Sequence, residues 1–135
     1  MRAQSHKLLQ ILSAALVAAA TVGPAYADEV LVRSAVAGKA EWMDDYYGWS
    51  NDCKPIVYDI DVVDPPRNGK VAPKPKVGTI PPAKIGSARG CIGKPFKGWS
   101  IFYTPARGYR GSDQFRVRMR VGNQSKFFTY RINVH

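Results

Sequence analysis

Histidine is nearly missing from this chain: of its 135 residues only His6 and His135 carry an imidazole. A Ser-His-Asp or Cys-His mechanism therefore has no general base in the body of the sequence, and zinc sites of the usual composition have no ligand set. Cysteine is as scarce, with Cys53 and Cys91 alone and no Cys-x-x-Cys spacing. Beyond Val22 there is no apolar run approaching the roughly 20 residues that span a bilayer, and no stretch of sustained helical periodicity. Carboxylates are missing from the second half, where Asp113 stands alone among fifteen bases from Pro65 onward. No catalytic residue, metal ligand or cofactor is expected.

What is present begins with a leader. Arg2 and Lys7 precede an apolar run from Leu8 to Val22, and Pro24 stands before Ala25-Tyr26-Ala27. That order predicts a secretory signal peptide over residues 1–27, cleaved after Ala27. The remainder, 28–135, has the size of one small domain, and its expected place is secreted or periplasmic. No membrane span is expected after cleavage. Two cysteines in an oxidising compartment predict a Cys53–Cys91 disulfide. Closing that loop stabilises by roughly 4 kcal/mol in the chain-entropy model.

Without Arg2 and Lys7 there are 18 bases against 10 acids, but they are unevenly spread. Residues 28–64 carry nine acids and three bases, whereas 65–135 carry fifteen bases and one acid. Such a division points to a surface for polyanions, or to one part of the fold neutralising another.

Taken in order, Val30 to Val32 reads as a first strand. Glu41 to Ser50 mixes acids with Trp42, Tyr46, Tyr47 and Trp49 in no clean period, which predicts a loop or short edge element. Its aromatics could stack on sugars, but capping the end of the fold beside Cys53 is the favoured role. Ile56 to Val63 alternates as a half-buried strand, stopped by Asp64-Pro65-Pro66-Arg67-Asn68-Gly69. Lys70-Val71 begins a short strand, and 73–88 is expected to be a basic Pro-rich loop. Trp99 to Thr104 places Trp99, Ile101 and Tyr103 on one face. Phe115, Val117, Met119 and Val121 alternate with Arg116, Arg118 and Arg120, and same-face residues about 7 Å apart put the three guanidinium groups in a row. A turn at 122–125 leads to a last strand, with Phe128, Tyr130, Ile132 and Val134 on one face and Arg131 on the other. The fold class is all-β.

Three pieces of the sequence carry a family resemblance. They are Pro66-Arg67-Asn68-Gly69-Lys70-Val71, then Phe102-Tyr103-Thr104-Pro105, then Gly108-Tyr109-Arg110-Gly111-Ser112-Asp113-Gln114-Phe115. In this order they resemble the bacterial immunoglobulin-like and cadherin-like repeats of secreted and surface proteins. The resemblance implies a Greek-key β-sandwich of about seven strands, with Tyr103, Pro105, Gly108, Tyr109, Gly111, Asp113 and Phe115 forming a structural corner. Gly108 and Gly111 would supply backbone angles closed to residues with a Cβ. Asp113 would accept turn amide hydrogens, and Phe115 would enter the core. Single copy, a long basic connection and a disulfide outside the repeat pattern depart from the family and point to a free-standing secreted domain. The fold implies no function by itself.

Two kinds of site remain. Asp59, Asp61 and Asp64 lie close enough to suggest paired carboxylates for glycoside hydrolysis, although an exposed strand facing basic neighbours is the favoured reading. Arg116, Arg118, Arg120 and Arg131 on one sheet face could grip an anionic envelope polysaccharide or lipopolysaccharide, since the guanidinium fork binds phosphate and carboxylate in pairs. Their counter-reading is a solvated face with Asp59 and Asp61 opposite. The row lacks the interleaved exposed aromatics of a single-strand binder, which argues against nucleic acid. A non-catalytic binding or envelope-associated module is the expected function. The other candidate is an assembly role, in which an exposed sheet edge pairs with an envelope protein.

Overall fold

The computed structural model describes residues 28–82 and 90–135; the predicted signal peptide lies outside the described residues. Seven strands follow in order: β1 Glu29–Ala35, β2 Glu41–Tyr47, β3 Asp59–Asp64, β4 Gly69–Thr79, β5 Pro95–Pro105, β6 Gly111–Val121 and β7 Gln124–Val134. They form a β-sandwich, with a four-stranded sheet ordered β1-β7-β6-β3 over a three-stranded sheet ordered β2-β5-β4. β1 runs parallel to β7, while every other pairing is antiparallel. Only β4–β5 and β6–β7 join neighbours in one sheet; every other connection crosses between the two.

Alternation on β5, β6 and β7 builds the core between the sheets. Ile101 and Tyr103 from β5, Phe115 and Val117 from β6, and Phe128, Tyr130, Ile132 and Val134 from β7 are buried together with Ala35 and Met43. Each large apolar side chain removed from water stabilises by about 1.5–3 kcal/mol. The rings form one continuous stack across the layers. Phe115 lies 4.6 Å from Tyr130 and 5.7 Å from Tyr103 between centroids, both nearly parallel. The hydroxyls of the half-buried Tyr46 and the buried Tyr130 bond to each other, which gives both polar ends a partner.

Two elements differ from their sequence expectation, and a third, Glu41–Tyr47, takes the edge-element alternative. The expected loop over 73–88 is strand as far as Thr79, paired with β5 along its whole length; residues 83–88 of that segment lie outside the described residues. Pro73 and Pro75 are two apart on the sheet-edge strand β4, so both missing N–H groups fall on the side away from β5, where no ladder bond is lost. Glu41–Tyr47 is an edge strand whose period is broken by a bulge between Trp42 and Asp44. Trp42 and Asp45 therefore point outward while Met43 and Tyr46 point in. The strand expected from Ile56 starts only at Asp59, because the chain before it folds back on itself through Ile56 N–H to Gly48 O at 3.0 Å and a bridge between Trp49 and Pro55.

Arg33 closes the side of the sandwich where β1 and β2 lie edge to edge. Its Nε donates to Met43 O at 3.0 Å and its Nη2 to Asp44 Oδ2 at 2.7 Å. Two edge strands of different sheets are tied by one side chain.

Candidate functional site

The corner from Tyr103 to Phe115 is held together by hydrogen bonds. Asp113 is the hub. Its carboxylate accepts the Tyr103 hydroxyl at 2.7 Å and the backbone N–H groups of Arg67, Asn68 and Gln114 at 2.9–3.1 Å. Burial raises its pKa, but these four donors outweigh burial and leave it below the usual carboxylate range. Gly108 and Gly111 adopt φ of 79° and 130°, angles that residues with a Cβ avoid. Tyr109 Oη donates to Ser112 O across the turn. One acidic side chain thus fixes the β3–β4 turn to the β5–β6 turn.

The aromatics of the other end are structural too. Cys53 and Cys91 are bonded, and Ile80, Cys91 and Phe96 form a small second core with Tyr47, Trp49 and Cys53 packed against it. Tyr47 stacks on Phe96 at 4.2 Å. Glycines let these rings lie flat on the outer sheet face: a Cβ at Gly78 would come within 2.8 Å of the Phe96 ring. Of the four aromatics suggested as a sugar platform, only Trp42 is largely exposed, at 55%.

The arginine row exists, and it faces aspartates. On the outer face of the four-stranded sheet the register sets Arg116 opposite Asp64, Arg118 opposite Asp61 and Arg120 opposite Asp59. Arg118 donates from Nη2 and Nε to Asp61 Oδ2 at 2.7 and 3.2 Å. Arg120 reaches Asp59 at 3.5 Å. Arg116 takes Asp28 as its main partner, donating from Nη2 to Oδ1 at 2.9 Å with Nε 2.8 Å from Oδ2 in off-axis ion contact. Asp64 stands farther off at 3.9 Å, and the guanidinium lies over the Phe127 ring. Half-exposed pairs of this kind add little stability; their effect is to use up charge. The bond from Arg118 holds the Asp61 carboxyl below its ordinary pKa, whereas a general acid needs the opposite shift.

Arg131 is different. It is exposed on β7 and, among the described residues, has no carboxylate partner. It lines an open groove of about 820 Å³ with Arg67, Asn68, Ser112, Gln114, Asn133 and the carboxylates of Asp64 and Asp113. The groove opens at the end of the sandwich where three turns meet. The β1–β2 turn is tied to β5 by Gly38 N–H to Pro105 O at 3.0 Å, and the β3–β4 turn to the β5–β6 turn by Ala106 N–H to Asn68 O at 2.8 Å. These turns carry Lys39, Arg67, Arg107 and Arg110, all exposed. None of the four has an ion-pair partner among the described residues. Sequence reasoning passed over them because they sit in turns, outside any alternation. The available signal was that turn bases have no cross-strand acid to meet.

No protein-family model, no curated protein and no solved structure matches this chain. Its character therefore rests on its own residues and strand order.

Proposed function

We propose that this protein is an exported, non-catalytic binding module with an immunoglobulin-like sandwich, which holds anionic envelope polymers by cations that its own carboxylates leave free. The strand order supports the fold name: β7-β6-β3 over β2-β5-β4, with β1 running parallel to β7, is the sheet division of immunoglobulin-type domains with the first strand moved to the sheet of the last. The disulfide and the predicted leader support export. A single observation carries the binding reading. The sheet-face arginines are paired with aspartates, while the turn cations Lys39, Arg67, Arg107 and Arg110 share one end with no carboxylate partner among the described residues. Guanidinium forks without a partner suit phosphate and carboxylate. The assembly reading has less support, since Pro73 and Pro75 interrupt the donor row of the β4 edge and Arg33 occupies the β2 edge.

The test is retention of the purified, disulfide-bonded protein on immobilised polygalacturonate and on lipopolysaccharide. Retention that falls steeply between about 50 and 300 mM salt is expected, because screening shortens the reach of exposed charge. Absence of retention on any polyanion at the lower salt would end the reading.

A further inference from the structure

The groove beside the turns adds shape to charge. Arg67 stands at one side of it and Arg131 at the other, and Ser112, Gln114 and Asn133 are exposed in its lining. Of the two carboxylates in the lining, Asp113 alone is engaged by hydrogen bonds. Asp113 is held by Tyr103 and three backbone amides, and Asp64 lies on the Arg116 side at 3.9 Å. Beside the exposed Asp64 carboxylate stand two guanidinium groups without an ion-pair partner among the described residues, with amide and hydroxyl side chains set among them. Hydroxyls and amides both donate and accept, which matches the alternating hydroxyls of a sugar ring. A bare polyphosphate, all acceptor, would use only the cations. Volume agrees, since pockets of about 300–1,000 Å³ take small ligands, so one or two sugar rings would fit.

Resting on the polyanion reading above, we propose that the ligand is an acidic polysaccharide, with one sugar unit seated between Arg67 and Arg131 and the chain continuing over the turns at Arg107 and Arg110. The anionic group meets a guanidinium fork, and ring hydroxyls meet Ser112, Gln114 and Asn133. Specificity then comes from the groove, and the turn cations supply reach.

The experiment compares wild type, Arg67→Gln/Arg131→Gln and Gln114→Ala/Asn133→Ala on three probes at about 50 mM salt: polygalacturonate, inorganic polyphosphate and neutral dextran. Thermal unfolding checks that each variant keeps its fold; all four positions are exposed or at a turn, so it is expected to. The arginine variant should lose about tenfold or more on polygalacturonate, the amide variant should lose several-fold on polygalacturonate alone, and dextran should not bind. Wild type that binds polyphosphate as tightly as polygalacturonate, with the amide variant unchanged on both, would overturn the saccharide assignment and leave the polyanion reading standing. Full polygalacturonate binding by the arginine variant would remove the groove as the site. Wild type that binds neither polyanion would remove both.

Discussion

Two basic regions of this molecule carry similar charge and behave as opposites. On the sheet face, Arg116, Arg118 and Arg120 stand in a straight row, each beside an aspartate. At the turn end, Lys39, Arg67, Arg107 and Arg110 are scattered over three loops and meet no carboxylate among the described residues. The regular row draws the eye in sequence, yet its regularity is what neutralises it. Asp59 and Asp61 on β3 have the same two-residue period as Arg118 and Arg120 on β6, so one register pairs them both. Turns have no register. The four bases at this end therefore meet no acid by register, and their charge stays available.

Both regions nevertheless rest on aspartates, and removing these in turn separates them. The largest effect belongs to Asp113. Asp113→Ala leaves the buried Tyr103 hydroxyl and three backbone amides without their acceptor, and should cost about 3 kcal/mol or more in urea unfolding. Its loss loosens the turns, so polymer binding should weaken with it. Asp113→Asn, which keeps one acceptor oxygen, should fall between the variant and wild type.

Acid should act next, and on the whole molecule. Asp28, Asp45, Asp52, Asp61 and Asp113 all have pKa values lowered in the fold. A lowered carboxyl contributes stability that is fully present above the unfolded value, about 3.9 for aspartate. That contribution is lost as pH falls through the folded value. The urea midpoint should therefore hold level from pH 7 to about 5 and drop as pH falls below about 4. A midpoint that rises on acidification would contradict the pairing described here.

The smallest effect sharpens the comparison most. Asp59→Asn/Asp61→Asn removes the partners of Arg118 and Arg120 while leaving the arginines in place. If pairing alone silences the row, retention on polygalacturonate at about 50 mM salt should increase, by roughly threefold for two freed cations near a polyanion. Unchanged retention would mean that the face is unsuitable for reasons other than charge.

Much of the fold was legible because alternation survives wherever a strand is regular. Phe115–Val121 and Phe127–Val134 show their buried faces directly, and the Gly108–Phe115 corner names its turn by its glycines and its aspartate. What was hidden followed from departures of a single residue or a single side chain. Met43, squeezed into a bulge, scrambled the period of β2. Pro73 and Pro75 look like loop residues unless it is known that β4 lies at an edge with only one neighbour. The clasp from Arg33 to Met43 and Asp44 joins residues ten and eleven apart that no periodicity links. Of the site, Arg131 was visible as a base on the polar face of β7. Its meeting with Arg67 across the groove depends on which turns the topology brings to one end, and that is decided only when both sheets are assembled.

The parallel pairing of β1 with β7 sets the order in which this chain can become itself. Glu29 to Ala35 find their ladder partners at Phe128 to Val134, nearly the full length of the domain away. A chain delivered from its N-terminal side therefore presents β1 first and can seat it last. Until Val134 is free, the four-stranded sheet lacks an outer strand and Arg33 has no fixed place from which to clasp β2. Long-range closure of this kind is slow to form. Were the chain, exported as proposed above, to cross unfolded, β1 would have no ladder partner until the whole domain had arrived.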